Sequence, residues 1–541
     1  MAGFHIENFG CRAARADGEA VSDRLRAVGH FVQQSSRAEV VIVNTCSVTA
    51  EADREARVYI RRAHHLNPQA RIIVTGCYAQ RAPEELAGLE GVSAVVGNSH
   101  KALVPRIAVE LMGTQDEDGH VKGTGFSPYG NSKSLDGALA PEAPFVPIES
   151  LLSRGSAHAQ IFADDRFAHS FLEEAQVLPG EQTRPNLKIQ EGCGNRCSFC
   201  VIPQTRGSSR SLPAEAVLRQ VNGFVAAGGK ELVLSGINLG RWGRDLPSEH
   251  TRINPTLSHP LSRMREGGAP ISSGCSLAWL IRRIFEETEL PRLRLSSIEP
   301  MDWDGEMLGL MSEFGGGSPG SPATGLRRWG GRLCRHAHLP LQSGSDALLR
   351  RMHRRYRPWH YTQKVADLFR AAGPELTLGA DVMVGFPGET DREFEETLDL
   401  VRSLPFGYLH IFPFSARPGT RAWALHMESP APAGAVQERM AALRSLAAEK
   451  TRAHREQFVG RKLQAITLNT APEVASRGRT RALTENFLPV EIRGGIPSNQ
   501  LVRLRVTVLN AESTLEAMSE SGEFVSQDGV TSVTSGSATC V

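Results

Sequence analysis

The sequence predicts an α/β protein in which two parallel-sheet units are followed by a small β-barrel. Apolar runs of strand length alternate with amphipathic helical stretches over residues 1–113 and again over 184–455. Such alternation is typical of parallel strands joined by right-handed helical crossovers. Residues 456–517 instead carry short strand-like runs between polar turns, which indicates a small barrel. A chain of 541 residues is too long for one compact core, so several domains are expected.

Three predicted strands of the N-terminal unit lead directly to a cysteine. "FHIENFGC" ends on Cys11, "VVIVNTC" on Cys46 and "RIIVTGC" on Cys77. Ligand sites of parallel sheets lie beyond the carboxyl ends of the strands, and neighbouring strands are about 4.8 Å apart, so the three thiols are predicted to converge. The alternative is three unrelated buried cysteines, which are common because free cysteine packs as a small apolar residue.

The central unit, residues 184–455, contains six strand–helix repeats. Six such units in series predict an open, partial (β/α)6 barrel. The strand-like runs are "LKIQEG", "KELVLSGI", "RLRLSSI", "AHLPLQSG", "LTLGADVMVG" and "YLHIFPFS".

Four segments have compositions that cannot fill a core. Residues 114–183 are polar and rich in Gly, Ser, Pro and acidic side chains, which predicts a linker or insertion. Residues 247–274 and 315–331 are similar and predict surface insertions. The Ser-, Gly- and Thr-rich residues 518–541 predict a disordered tail.

Composition indicates a soluble intracellular protein. No apolar run approaches the length of a bilayer span, and the first ten residues, "MAGFHIENFG", lack the features of a signal peptide, so a cytoplasmic location and no membrane partner are expected. The net charge of +2 favours no class of partner. The nine cysteines are expected to be reduced, and clustered ones are candidate metal ligands. Cys275, Cys334 and Cys540 stand apart and are assigned no ligand role.

The motif "EGCGNRCSFC" places Cys193, Cys197 and Cys200 in a C-x3-C-x2-C spacing after the first strand of the central unit. Three thiolates on one tight loop can ligate three corners of a cubane iron–sulfur cluster. Because no fourth cysteine follows in the motif, one iron would stay open to a substrate or cofactor, as in a catalytic metal site. A structural zinc knuckle is the alternative, although zinc sites usually pair a C-x2-C with a second such pair.

With Phe199 before its last cysteine, this motif resembles that of the radical S-adenosylmethionine superfamily. The resemblance implies a [4Fe–4S] cluster on Cys193, Cys197 and Cys200, whose open iron holds the amino and carboxylate groups of S-adenosylmethionine. It further implies that reductive cleavage of this cofactor yields a 5′-deoxyadenosyl radical. No side chain is assigned a catalytic role, because the implied chemistry takes place at the clusters.

Other motifs resemble the methylthiotransferase family of this superfamily. They are the three strand-end cysteines and the stretches "CSFCVIPQTRGSSRS", "LSGINLGRWGRDL", "HLPLQSGSDALLRRM", "DVMVGFPGET" and "FPFSARPGT". The resemblance implies that Cys11, Cys46 and Cys77 hold a second [4Fe–4S] cluster, which relays sulfur. It also implies that residues 456–517 form a TRAM-like domain, a barrel that binds RNA.

Within this family, "VIVNTCSVTAEADREARVYIRR" and "VTGCYAQ" resemble the branch that modifies N6-threonylcarbamoyladenosine in tRNA. The implied reaction replaces the C2 hydrogen of this nucleoside at position 37 with a methylthio group. Two other branches, which act on isopentenyladenosine in tRNA or on an aspartate of a ribosomal protein, remain as alternatives. A further alternative is an RNA-binding protein with a structural metal, which the open cysteine motif disfavours.

The resemblance implies the anticodon loop of tRNA as a partner, and an electron donor such as flavodoxin or ferredoxin; DNA is not expected to bind. Basic residues outnumber acidic ones between 439 and 505, which favours contacts to an RNA backbone. An ordinary solvated face is the alternative. The basic residues include Arg439, Arg444, Lys450, Arg481 and Arg493.

Strand ends of the central unit are predicted to contact S-adenosylmethionine. The residues are Gly236, Glu299, Gln342, Ser343 and Asp381. Each position has a plainer interpretation. For example, Gly236 would only form a turn, Glu299 would cap a helix, and Asp381 would pair with an arginine.

Overall fold

Residues 2–113 form a parallel sheet with apolar cores on both faces. The computed structural model describes residues 2–113, 159–165, 167, 183–246, 275–315 and 331–520. The strands, in spatial order β2-β1-β3-β4-β5-β6, are β1 (Gly3–Asn8), β2 (Phe31–Val32), β3 (Val40–Thr45), β4 (Arg71–Gly76), β5 (Val92–Gly97) and β6 (Gln160–Phe162). The helices are α1 (Arg12–Ala27), α2 (Ala50–Leu66), α3 (Cys77–Arg81), α4 (Pro83–Ala87) and α5 (Val104–Gly113), with a 3-10 helix at Asn98–Leu103.

Local sequence explains these elements. All six residues of β3 are buried, as expected for a parallel strand that is covered on both faces. Helix α2 begins after Thr49, whose hydroxyl accepts a hydrogen bond from the backbone N–H of Ala52 at 3.2 Å. Glu51 and Asp53 in its first turn complement the helix dipole. The predicted parallel N-terminal sheet is confirmed.

Part of the predicted linker, residues 114–183, adds a strand to this sheet. Within it, β6 pairs in parallel with Ala94–Val96 of β5. The strand is only three residues long, and the polar composition around it gave no signal of its presence. The rest of this segment lies largely outside the described residues, as do the predicted insertions and most of the predicted tail.

The central unit is an open barrel, as predicted. Within the described residues its strands are β7 (Asn186–Glu191), β8 (Arg210–Ser211), β9 (Glu231–Gly236), β10 (Arg292–Leu295), β11 (His336–His338), β12 (Thr377–Val384) and β13 (Phe406–Pro413). Strand β8 pairs antiparallel with β7, whereas the other pairs are parallel. A parallel bridge between Leu293 and Leu333 joins the two halves of the sheet.

Helices surround this barrel, and the main apolar core lies between them and the strands. They are α6 (Ile202–Arg206), α7 (Ala214–Ala226), α8 (Leu277–Glu287), α9 (Gly305–Phe314), α10 (Asp346–Arg351), α11 (Pro358–Ala372), α12 (Asp391–Ser403), α13 (Arg421–Glu428) and α14 (Ala433–Glu456), with 3-10 helices at Leu239–Arg241 and Pro300–Asp302. No helix in the described ranges is both long enough and apolar enough to span a bilayer.

The barrel strands alternate between an apolar outer face and a polar inner face. In β10, Leu293 and Leu295 belong to the main core, whereas Arg292 and Arg294 lie on the opposite face. In β11, Ala337 faces the same core, and a histidine lies on each side of it. The barrel lumen is therefore lined by polar side chains.

The C-terminal unit is a closed barrel, also as predicted. In the described part its strands, in the order β14-β15-β16-β18-β17, are β14 (Lys462–Thr467), β15 (Arg479–Thr484), β16 (Pro489–Arg493), β17 (Leu501–Leu509) and β18 (Leu515–Ser519), with α15 at Pro472–Ala475. The turn between β15 and β16 docks on the central unit. Glu485 pairs with Arg335, and the side-chain amide of Asn486 donates to the backbone carbonyl of Glu375 at 3.0 Å.

A buried cluster of charges joins the N-terminal sheet to the central barrel. Asp17 of α1 accepts hydrogen bonds from Lys101 at 2.5 Å, from Arg206 at 3.2 Å and from Lys188 of β7. Glu191 accepts from Lys188 at 2.5 Å and from Arg206 at 2.6 Å. Burial opposes ionisation of Asp17, but the three cations hold its pKa below the usual range.

A second buried cluster surrounds Glu231 at the start of β9. Its carboxylate accepts from Arg294 at 2.9 Å and Arg292 at 3.2 Å, and lies 3.5 Å from Arg184. Although burial works in the opposite direction, these guanidinium groups lower the pKa of Glu231 to about 2. The carboxylate is therefore charged at neutral pH.

Asp17→Asn is expected to destabilise the protein by about 3–5 kcal/mol, because removal of one partner leaves buried cations uncompensated. The measurement is the free energy of unfolding in urea. Asp399→Asn is the matched control, because Asp399 pairs with Arg402 on the surface with 71% of its side chain exposed. The control should change stability by less than about 1 kcal/mol. Equal effects of the two substitutions would contradict a joining role for the buried cluster.

The lowered pKa of Glu231 predicts that the free energy of unfolding depends on pH. Its folded pKa of about 2 is below the usual 4.5, so its contribution to stability is present above about pH 4.5 and is lost as the pH falls from there toward 2. Between pH 5 and pH 3 the wild type should lose about 2 kcal/mol more than Glu231→Gln, when urea unfolding is compared at the two pH values. The exposed Glu286→Gln should behave like the wild type, and an unchanged slope for Glu231→Gln would contradict the assignment.

Candidate active site

The structure brings Cys11, Cys46 and Cys77 together at the carboxyl edge of the first sheet. They follow β1, β3 and β4, which are neighbours in the sheet. The charges of Cys77 and Cys11 both act on Cys46, so the sulfurs share one small region. That these thiols converge on one group, and that they ligate a cluster, both stay predictions.

Glycine at position 10 makes room for this group of thiols. Gly10 has φ +95°, a left-handed conformation that favours glycine. A Cβ atom at this position would lie 2.7 Å from the sulfur of Cys46 and 2.5 Å from its Cβ. Only glycine therefore lets the chain bring Cys11 next to Cys46 at this point.

The sulfurs in this group receive hydrogen bonds from N–H donors. Arg206 Nε donates to Cys77 Sγ at 3.2 Å, and Asn98 Nδ2 donates to the same sulfur at 3.4 Å. The backbone N–H of Val48 donates to Cys46 Sγ at 3.5 Å. Burial raises the pKa of the Cys46 thiol to about 12, so this sulfur becomes a thiolate only when a metal displaces its proton. Three thiols with a guanidinium beside them fit an iron–sulfur cluster, which is anionic and accepts such hydrogen bonds.

The second thiol group occupies the loop that follows β7. Asn195 donates its backbone N–H to Cys193 Sγ at 3.4 Å, and Arg354 donates to Cys197 Sγ at 3.4 Å. The charges of Cys197 and Cys193 act on Cys200, and burial raises the pKa of Cys200 to about 12. The three thiols lie on one loop, and each of the two groups contains a guanidinium and a backbone N–H that donate to its sulfurs.

A cleft lies beside Cys197. Its lining includes Asn195, Glu299, Asp302 and Arg354. Glu299 pairs with Arg354, which also donates to the phenol of Tyr356 at 3.2 Å. The predicted cofactor residue Glu299 therefore lies where a ligand of this thiol group would bind, and it pairs with an arginine that contacts one of the sulfurs.

Gln342 and Asp381 are the next two predicted cofactor residues, and they are neighbours. The backbone N–H of Gln342 donates to the backbone carbonyl of Asp381 at 2.7 Å. Gln342 has φ +64°, which is strained for a residue with a side chain. Its buried Oε1 atom has no hydrogen-bond partner among the described residues. A strained residue with an unsatisfied buried acceptor is a candidate for ligand contact.

Gly236 and Ser343 have structural surroundings. A Cβ at Gly236 would lie 2.6 Å from the Cβ of Gln190, so glycine is needed for close packing against β7. Ser343 is fully buried, and its hydroxyl lies 3.0 Å from the hydroxyl of Thr397 and accepts from the backbone N–H of Ser345 at 3.0 Å. Both residues therefore shape the strand ends.

The lumen contains a chain of hydrogen-bonded side chains, of which the sequence analysis predicts only Asp381 as a site residue. Tyr408 Oη lies 2.8 Å from His336 Nε2 and 3.0 Å from His338 Nδ1. His338 Nε2 and His410 Nδ1 lie 3.0 and 3.3 Å from the two carboxylate oxygens of Asp381. Although burial opposes it, the hydrogen bonds from the two histidines lower the pKa of Asp381. The alternation of polar and apolar residues in "RLRL" and "HAH" was the signal for this lining.

Phe487 of the C-terminal barrel forms one wall of this lumen. It lies in the turn between β15 and β16 with φ +69°. Its ring stacks on His336 with centroids 4.3 Å apart and lies 5.4 Å from the ring of Tyr408. Arg294 covers its face at 5.2 Å. The third domain therefore contributes directly to the central cavity.

Two family profiles match the chain. Residues 3–97 match the "Uncharacterized protein family UPF0004", and residues 323–401 match the "Radical SAM superfamily". The first match covers most of the N-terminal sheet, and the second covers β11, β12 and most of α12.

Curated relatives match almost the whole chain. The "Threonylcarbamoyladenosine tRNA methylthiotransferase MtaB" of Aquifex aeolicus is 30% identical over 93% of this chain and 99% of that protein. The protein of the same name from Treponema pallidum is 31% identical over 95% of this chain and 100% of that protein. A "tRNA-2-methylthio-N(6)-dimethylallyladenosine synthase" of Cereibacter sphaeroides is 30% identical over 93% and 95%. Because this identity extends over nearly all of both sequences, the chain belongs to the radical SAM methylthiotransferase family.

Proposed function

We propose that this protein replaces the C2 hydrogen of N6-threonylcarbamoyladenosine at position 37 of tRNA with a methylthio group. The observation that carries the proposal is the connection between the two thiol groups. Arg206 donates to Cys77, and the carbonyl of the next residue, Gly207, accepts from the backbone N–H of Cys193 at 3.0 Å. One short segment therefore separates two candidate cluster sites, an arrangement suited to two clusters that act on one base.

The thiols are the proposed ligands of two [4Fe–4S] clusters. Cys193, Cys197 and Cys200 would hold the cluster that binds S-adenosylmethionine, and the other cluster would be held by Cys11, Cys46 and Cys77. When bound, these groups supply the radical chemistry and the sulfur that an adenine C2 position requires, because that carbon is inert toward polar reagents.

The chain's own residues position the cofactor and the base. Glu299, Gln342 and Asp381 are the proposed contacts to S-adenosylmethionine, because their polar atoms lie at the cleft beside Cys197 or line the lumen. Gly236 and Ser343 are proposed to assist by shaping the strand ends. The aromatic rings of His336, Tyr408 and Phe487 offer a stacking surface for a base that has been turned out of an RNA loop.

The proposed partner is the anticodon loop of tRNA, with a flavodoxin or ferredoxin as electron donor and the cytoplasm as location. Exposed arginines on β15 and β16, Arg481 and Arg493, are suited to phosphate contacts. Arg439 is not, because it is buried and pairs with Glu389 at 2.9 Å. Lys450 donates to the backbone carbonyls of Arg402 and Leu404 and so serves the fold as well.

The second candidate substrate is dimethylallyladenosine in tRNA, because the relative that bears this name is about as similar to the chain as the MtaB relatives. An aspartate of a ribosomal protein is the third.

The choice among these substrates predicts a change in cellular tRNA. In cells that lack the protein, mass spectrometry of tRNA nucleosides should show loss of 2-methylthio-N6-threonylcarbamoyladenosine and accumulation of its unmethylthiolated precursor. Loss of the methylthio-dimethylallyl nucleoside instead would establish the second candidate. If every methylthio nucleoside persists, tRNA is not the substrate, and ribosomal proteins become the place to search.

The proposed cluster on the N-terminal sheet predicts an effect of Gly10 on iron content. The reconstituted wild type should contain about eight irons per chain, and Cys46→Ala should contain about four. Gly10→Ala should also approach four, because its Cβ collides with Cys46. Gly29→Ala is the matched control, since Gly29 has a similar φ of +91° but no atom within 4 Å of its Cβ position. Eight irons in Gly10→Ala would refute this placement of the cluster.

A further inference from the structure

Positive charge exceeds negative charge at one end of the barrel lumen. In the described part of the chain, Glu231 is the shared partner of Arg184, Arg292 and Arg294. Each of these arginines has a buried N–H group with no hydrogen-bond partner within the described residues. The nitrogens are Nε of Arg184, Nη2 of Arg292 and Nη1 of Arg294. One carboxylate cannot satisfy three guanidinium groups, so the cluster has unused donors and a net positive charge.

Arg12 adds a fourth guanidinium to this region. It is the first residue of α1 and directly follows Cys11. Its charge acts on Arg184, His336 and Tyr408, so it lies within electrostatic reach of this end of the lumen. Its side chain is exposed, and no hydrogen bond or ion pair holds it within the described residues. Desolvation and the charge of Arg294 lower the pKa of Arg12, and the charges of Tyr408 and Glu231 partly oppose this shift.

Of the three arginines that pair with Glu231, Arg184 is the one that a ligand can reach. Its side chain is 23% exposed, whereas Arg292 and Arg294 are almost fully buried behind it. Glu231 is fully buried as well, and no ion pair between it and Arg12 occurs among the described residues. Two accessible arginines that repel one another favour an anion between them, and the planar guanidinium is matched to a carboxylate.

We propose that Arg12 and Arg184 bind the carboxylate of the N6 substituent on the target adenosine, and so select a threonylcarbamoylated base over one with an apolar substituent. The inference rests on the proposed function. The threonylcarbamoyl group carries a carboxylate, whereas a dimethylallyl group carries no charge. Arg12 adjoins Cys11, so a base whose C2 faces the first thiol group can extend its N6 substituent to this arginine. The stacking surface of His336, Tyr408 and Phe487 lies at the same end of the lumen.

Equilibrium binding of short anticodon stem-loop RNAs tests this subsite. One RNA carries N6-threonylcarbamoyladenosine, and the other carries the same group with its carboxylate replaced by a neutral carboxamide. The wild-type holoenzyme should bind the acid about ten- to hundredfold more tightly, the range expected for hydrogen bonds to a charged group. Arg12→Met and Arg184→Met should each lose most of this preference, and Arg12→Lys should retain part of it.

Two controls separate recognition from folding. Both Met variants should bind the carboxamide RNA as the wild type does, which shows that they are folded. Arg37→Met, at an exposed position before β3, should keep the full preference for the acid. If Arg12→Met keeps the full preference, or if the wild type binds both RNAs equally, the subsite is wrong.

A different result would contradict the proposed function. Equal binding of acid and carboxamide together with normal methylthiolation of the threonylcarbamoyl RNA would overturn the subsite alone. A wild type that prefers and modifies a dimethylallyl RNA would overturn the proposed substrate, and the subsite with it.

Discussion

One buried guanidinium, that of Arg206, fixes the position of the N-terminal sheet on the central barrel. It contacts Cys77 of the first thiol group, Asp17 of α1 and Glu191 at the end of β7. Arginine keeps its charge at any relevant pH, so a buried arginine must keep its partners. Its planar fork reaches all three groups at once, which a lysine ammonium on a flexible stem does not do. The contact between the first thiol group and the central barrel therefore depends on this residue.

The lumen combines aromatic and hydrogen-bonding surroundings. Aromatic rings from two domains lie close together, and hydrogen-bonded histidines and a carboxylate continue along the same inner face. Apolar residues of the same strands point outward and form the main core. Successive side chains of a strand point to opposite faces of the sheet, so the same strands stabilise the core on one face and line the lumen on the other.

The sequence predicted the three units and both thiol groups because their signals are local. Alternating strands and helices, strand-end cysteines and the C-x3-C-x2-C spacing are each visible within a few dozen residues. Of these lumen residues only Asp381 was predicted, because His338, Asp381 and His410 come from three separate strands whose pairing a single sequence does not show. The short strand β6 was hidden in a polar segment, and Phe487 lies in a turn rather than a strand. Residues brought together by tertiary structure leave little trace in a single sequence.

The turn that carries Phe487 makes the central unit depend on the C-terminal barrel. The C-terminal barrel forms its own closed sheet, separate from the sheets of the central unit. The ring of Phe487, at the turn between β15 and β16, nevertheless stacks on His336 in the lumen of the central unit. An exchange of the C-terminal barrel between relatives would therefore change an aromatic wall of the central lumen as well as the outer surface of the protein.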